Sequence, residues 1–131
     1  MKRVGLVMIF VTVAAVLVWL FVVRPWRVRE AQRATAELFV RRTINEPLRA
    51  FRVHVGRYPT TEEGLGALLV APRAVEHHWR GPYVDPAIPL DPWGREYQYR
   101  APGRKNTSGY DVWSLGPDPS RNADDIGNWE P

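Results

Sequence analysis

From Val4 to Val23, twenty consecutive residues carry no charge, and they are closed by Lys2 and Arg3 on one side and Arg24 on the other. As an α-helix rising about 1.5 Å per residue, this run is about 30 Å long, the thickness of a bilayer's hydrocarbon core. It reads as an uncleaved membrane span. A secretory signal would have an apolar stretch of about 7 to 15 residues ending in a small-x-small site. The residues Phe21-Val22-Val23-Arg24-Pro25-Trp26 offer no small pair. A wholly buried core helix is the remaining reading of the run. Trp19 and Trp26 flank its C-terminal end, where amphipathic rings sit well at the headgroup level.

The span leaves roughly 100 of the 131 residues, enough for one small domain and no second core. We therefore expect an anchor over 1–27 and a head with a helical stem over 28–131. The formal charge of +4 resembles a nucleic-acid signal until it is located. Lys2, Arg3, Arg24, Arg27 and Arg29 all precede the first acid, Glu30, and beyond them thirteen basic residues face fourteen acidic ones. The basic balance belongs to the membrane flanks, so no nucleic-acid partner is expected. The arginines after the span outnumber the cations before it, and the positive-inside rule would put the head in the cytoplasm. No cysteine is present to staple a small head.

Beyond Pro25 the pattern is helical. Ala31, Ala34, Leu38, Ile44, Leu48, Phe51 and Val55 recur at steps compatible with a 3.6-residue period. Glu37 stands four residues before Arg41, the spacing of a helical ion pair. Thr43 with Glu46 has capping-box spacing and Pro47 fits a first turn, so a kink or fresh start is expected near Thr43. Gly56 fits a C-cap. Thr60 and Glu63 form a second capping box, opening a short helix from about Thr61 to Val70 with Leu65, Leu68 and Leu69 inward. From Ala71 onward prolines crowd an ordered loop, packed on the core by Trp79, Tyr83 and Trp93. Two alternating stretches, Glu96 to Arg100 and Tyr110 to Leu115, predict a β-hairpin.

Candidate chemistry is sparse. His77 and His78 are sequence neighbours that point apart, with no third ligand at zinc spacing. Ser, His and Asp occur without a nucleophile-elbow pattern. Asp91-Pro92-Trp93-Gly94 is a turn by composition. The C-terminal loop is more informative, because Asp118, Asp124 and Asp125 crowd a short segment. Two carboxylates about 4 Å apart at an effective dielectric near 20 repel by about 4 kcal/mol, so convergence calls for a cation. Oxygen ligands without nitrogen or sulfur suit calcium before magnesium. An EF-hand does not fit, since Ala123 and Trp129 stand where that loop needs glycine and glutamate. A solvated polar loop is the other reading of these acids.

Four motifs occur in one order: Tyr58-Pro-Thr-Thr-Glu-Glu-Gly-Leu65, Trp79-Arg-Gly-Pro-Tyr83, Asp91-Pro-Trp-Gly94 with Tyr97 and Tyr99, and Ser114-Leu-Gly116 with Asp118 followed by Asp124-Asp-Ile-Gly-Asn-Trp129. Over about 44–129 they resemble the major pseudopilin of type II secretion systems. The resemblance implies an α+β, pilin-like fold: a long N-terminal helix including the span, a short second helix and a small antiparallel β-sheet with ordered loops. It also implies a calcium-binding C-terminal loop and a periplasmic head, overriding the arginine count. Carried over residue by residue, the calcium carboxylates fall on Asp118, Asp124 and Asp125, with main-chain oxygen near Leu115 a further ligand. The Asp118–Asp124 loop is shorter than is usual in the family, and Pro119 stands in place of the common glycine. The N-terminus departs from the family pattern. Gly5 is the one candidate cleavage point, and cleavage there would put Phe10 where the family has glutamate, so the N-terminus is expected to stay unprocessed.

The expected role is a non-enzymatic structural subunit, a single-pass inner-membrane protein contacting membrane lipid. It would pack with other pseudopilin subunits and the inner-membrane assembly platform, as a homo-oligomer or mixed filament. A membrane-anchored periplasmic module for polysaccharide or peptidoglycan is the alternative, motivated by Trp79, Trp93, Trp113 and Trp129. An anchored glycosidase would need a carboxylate pair across a cleft.

Overall fold

The computed structural model describes residues 2–120 and 122–129, with side chains from residue 8 onward and excluding residue 122. The cleavage reading at Gly5 falls outside the described side chains. The chain divides into two compact units, residues 1–32 and 33–131.

The first unit holds α1 (Lys2–Val18), a π-helical turn at Trp19–Val23 and the residues of α2 (Arg24–Leu38) up to Gln32. The Arg24 N–H bonds the Trp19 carbonyl, five residues back. That wider turn lies just before Pro25, which has no N–H and whose ring collides with an α-helical carbonyl four residues back. Thr12 turns its hydroxyl inward, donating to the Ile9 carbonyl at 2.9 Å. The apolar side chains are bare, with Phe21 74% and Phe10 66% exposed. By length and composition the helix is apolar enough to cross a membrane, and none of its apolar window is buried within the protein.

In the second unit a further π turn, Phe39–Thr43, precedes α3 (Asn45–Val55), and Ile44 N–H bonds the Phe39 carbonyl at 3.1 Å. This turn changes which residues face the core. In a continuous α-helix the position seven before Ile44 is Glu37. The extra residue taken up by the π turn brings Ala36 inward instead and leaves Glu37 exposed. The buried stripe is therefore Ala36, Phe39, Val40, Ile44, Leu48 and Phe51. Ala31, Ala34 and Leu38, expected inward, are exposed. The expected Thr43–Glu46 box is also replaced, since Thr43 lies in the π turn and bonds the Leu38 carbonyl at 3.4 Å. Arg41 reaches the Trp129 carbonyl at 3.1 Å rather than Glu37.

Gly56, at φ +88°, ends α3 in the left-handed conformation that glycine adopts without a Cβ clash. The next capping box forms as its spacing predicts. Glu63 N–H donates to Thr60 Oγ1 at 3.2 Å, and Thr60 N–H donates to Glu63 Oε2 at 2.8 Å. Arg57 grips the same carboxylate at 2.7 and 2.8 Å. Beyond the box the chain makes one 3-10 turn, Leu65–Leu68, rather than the longer helix expected over Thr61 to Val70. Gly64, at φ +60° and ψ −167°, takes the backbone out of helical geometry. Leu65 and Leu68 are nonetheless buried.

Strands β1 (Gln98–Arg100), β2 (Asp111–Ser114) and β3 (Ile126–Gly127) form an antiparallel sheet in the order β1-β2-β3. Tyr99 pairs with Val112, and Ser114 with Ile126. Val112 and Ile126 join Ile44, Leu48, Phe51 and Leu68 in one core. Fully burying side chains such as Phe51 or Leu48 contributes about 2 to 3 kcal/mol each. The proline-rich loop is anchored by its aromatics as expected. Trp79 Nε1 donates to the Ala67 carbonyl at 2.9 Å, and Tyr83 meets Phe51 edge-on with ring centroids 5.7 Å apart.

Candidate functional site

The C-terminal loop is fixed at its start by the Asp91 turn. Asp91 is buried and accepts the N–H groups of Trp93 at 3.0 Å and Arg95 at 2.8 Å on Oδ1. Its Oδ2 accepts the Ser114 hydroxyl at 2.6 Å. Ser114 Oγ in turn accepts the Gly116 N–H at 3.1 Å, and Arg95 Nη2 donates to the Gly116 carbonyl. The turn read from composition therefore extends into a tie holding the segment after β2. Gly116 has φ +67°, and a Cβ built there would lie 2.2 Å from the Asp124 carbonyl oxygen. Only glycine lets these two backbones pass so closely.

This close approach brings together Leu115, Asp124 and Asp125, three of the four residues expected to hold calcium. Leu115 and Asp125 line one cleft of about 760 Å³. Burial, and then the Asp124 charge, holds the Asp125 carboxyl above its ordinary value. Asp118 is engaged in its own turn, accepting the Ser120 N–H at 3.0 Å and hydroxyl at 2.6 Å on Oδ1. Among the described residues, no three His, Cys, Asp or Glu side chains are grouped to hold a metal ion. As a donor set, Asp124, Asp125 and the loop's main-chain oxygens fit a hard cation, because they are all oxygen and two neighbouring carboxylates repel one another. Asp118 as placed does not complete that set.

A second aspartate escaped the sequence reading. Asp111 opens β2 and is buried beneath the hairpin loop. It accepts main-chain N–H groups from Arg104 at 2.6 Å, Lys105 at 2.9 Å and Asn106 at 2.9 Å, with Asn106 Nδ2 adding a fourth bond. Burial alone would raise this carboxyl, but the hydrogen bonds from Lys105, Asn106 and Arg104 hold it below its ordinary value. The only signal for this role in the sequence is an acid next to a glycine-containing turn, which is common. Asn128 extends the lock, accepting the Val112 N–H at 3.1 Å on Oδ1 and donating to the Tyr110 carbonyl at 3.1 Å.

The four tryptophans considered for stacking separate. Trp79 and Trp93 pack against the core. Trp113 and Trp129 are half-buried, line the cleft, and have ring centroids 6.1 Å apart at 52°. His77 and His78 are exposed in the proline-rich loop, and His54 Nδ1 lies 3.0 Å from the Tyr83 hydroxyl.

The family described as type II secretion system (T2SS), protein G, matches residues 26–129. A type II secretion system core protein G of Klebsiella pneumoniae is 46% identical over 84 residues, covering 60% of this chain and 57% of the relative. The Dickeya chrysanthemi protein of the same name is 38% identical over 104 residues, covering 76% of this chain and 64% of the relative. The chain thus spans less than two thirds of the length of either relative. Among solved structures, the major pseudopilin from the type 2 secretion system of enterohaemorrhagic Escherichia coli superposes with a TM-score of 0.66 at 34% identity, covering 77% of this chain and 85% of that one. With an apolar N-terminal helix and a small antiparallel sheet, the protein is pilin-like in fold. The chain belongs to the type II secretion system protein G family.

Proposed function

We propose that this chain is a structural subunit of a type II secretion pseudopilus, anchored in the inner membrane by its N-terminal helix with the head in the periplasm. The carrying observation is the protein G match across residues 26–129, together with an apolar helix none of whose window is buried within the protein. Such a role requires partner subunits and no catalytic group. The lone apolar helix would be satisfied by lipid or by neighbouring copies. The absence of cysteine makes the test clean. A single Val53→Cys substitution places a thiol at a position 79% exposed on α3. Thiol cross-linking in membranes of cells assembling the secretion system should give a covalent dimer, and a chain carrying both Val53→Cys and Leu38→Cys should give a ladder of multimers. A variant that stays monomeric under those conditions, and stays so with the thiol moved to Leu38, counts against the subunit reading. Added protease should digest the head in spheroplasts, and protection until lysis would reverse the topology.

We further propose that calcium steadies the C-terminal loop through Asp124, Asp125 and the main-chain oxygen of Leu115, with Asp118 joining once its Ser120 turn opens. Calcium would offset the repulsion between the neighbouring Asp124 and Asp125 carboxylates. Support comes from the all-oxygen donor set and the raised Asp125 carboxyl. A ligand at about 100 times its dissociation constant adds about 2.7 kcal/mol if it binds only the folded chain. Chelation should therefore lower the melting temperature of the purified protein, and a melt insensitive to chelator removes calcium from the picture.

A further inference from the structure

The cleft beside Asp125 carries an imbalance that neither the subunit role nor a calcium loop uses. Arg33, Arg41, Arg100, Arg104 and Lys105 all line it, and none forms an ion pair among the described residues. Of the three acids on its walls, Asp111 is spent on four hydrogen bonds. Glu37 and Asp125 remain, two carboxylates against five cations. The cleft is therefore net positive, and its volume of about 760 Å³ falls within the usual range of small-ligand sites.

Two indoles line the cleft, and one of them is held in place before any ligand arrives. Arg41 Nη2 donates to the Trp129 main-chain oxygen at 3.1 Å. The Trp129 ring lies against the Gly127 backbone so closely that a Cβ there would come within 2.4 Å of it. Asn128, between them, is locked by its side-chain amide to Val112 in β2 and to Tyr110 just before that strand. An indole fixed in this way loses little freedom when a ligand stacks on it. Trp113, from β2, stands beside it.

Guanidinium groups grip carboxylates bidentately, and flat indoles pack against the C–H faces of sugar rings. We propose that this cleft binds an acidic sugar, a short segment of carboxylate-bearing glycan, with Trp113 or Trp129 under a ring and the arginines on its carboxylates. An acidic peptide would satisfy the charges but would leave the preset indole without a flat partner. The cleft shares Leu115 and Asp125 with the calcium loop, so glycan binding is read without calcium, and it does not depend on filament assembly.

The test uses the full chain in detergent micelles with ¹⁵N-labelled tryptophan, without added calcium. Trigalacturonate should shift the Trp113 and Trp129 indole signals saturably and leave Trp79 and Trp93 in place. Maltotriose, neutral and of equal length, should bind at least about tenfold more weakly. Reversing two exposed cations together, Arg104→Glu with Lys105→Glu, should weaken trigalacturonate by about tenfold or more, with the melting temperature unchanged. Should that pair perturb folding, Arg33→Glu on the helix asks the same question. Equal binding of maltotriose overturns the charge recognition. Equal binding of inorganic phosphate or oligoglutamate overturns the sugar. Shifts confined to Trp79 and Trp93, or affinity indifferent to both charge reversals, overturn the site itself.

Discussion

Asp111 and Asp125 line the same cleft, and their carboxyl groups move in opposite directions. Asp111 has its charge matched by three main-chain N–H groups and an amide, so burial does not neutralise it. Asp125 is raised first by burial, and the like charge of Asp124 adds to it. Proximity in sequence predicts neither outcome. The deciding factor is whether the chain folds donors onto the carboxylate. A matched acid is structural, whereas an acid lacking positive charge is where a cation would be stabilising.

The sharpest way to break this contrast is to remove the matched acid. Asp111→Ala leaves three main-chain N–H groups without their acceptor, and should cost about 3 kcal/mol in denaturant unfolding. A loss near zero would mean that the hairpin loop does not depend on it. Gly116→Ala comes next, since a Cβ at φ +67° meets the Asp124 carbonyl. It should cost about 2 kcal/mol and loosen Asp124 and Asp125 together. Unchanged stability would show that the two backbones can separate freely.

Acid titration sharpens the comparison further. The Asp111 carboxyl lies below its ordinary 3.8, so its contribution is complete above that pH and is lost as pH falls through its folded value. The Asp125 carboxyl lies above 3.8, so its contribution has the opposite sign, present at low pH and lost as pH rises through its folded value. Wild-type stability should therefore decline below about pH 3.8, and this limb should be shallower in Asp111→Asn, the remainder belonging to Glu63, whose carboxyl the Arg57 hydrogen bonds hold below its ordinary value. The smallest effect is expected from Asp125→Asn. Without calcium it should raise the melting temperature slightly near neutral pH, and with calcium it should abolish any added stability. A clear loss of calcium-free stability would show Asp125 to be matched after all.

Local chemistry was the part of this fold legible in the sequence. The Thr60–Glu63 box, the Gly56 cap and the Asp91 turn each depend on residues a few positions apart, and each forms, as does the hairpin read from alternation in its two strands. The illegible parts leave no residue pattern. Arg41 ignores Glu37 for a carbonyl 88 residues distant, and Asp111 draws main-chain donors five to seven residues back, which could carry almost any side chains. A 3.6-residue period gives the wrong inward face before Ile44 because it assumes an unbroken α-helix, and the π turn at Phe39–Thr43 violates that assumption. In the candidate ion loop, the crowding of acids was plain. Which of them meet was set by Gly116 passing under Asp124, a tertiary contact with no periodic signature.

The same π turn has a consequence for how this stem tolerates changes in length. It holds one more residue than an α-helical turn, yet Ala36 and Ile44 still face the same core. Losing one residue inside Phe39–Thr43 would convert it to an ordinary turn and keep both faces aligned. Losing one from the helical residues between Ile44 and Phe51 would rotate everything before it by about 100°. A single-residue deletion in this stem should therefore be absorbed at one place, and the turn serves as slack that lets the stem shorten by one residue while the head keeps its packing.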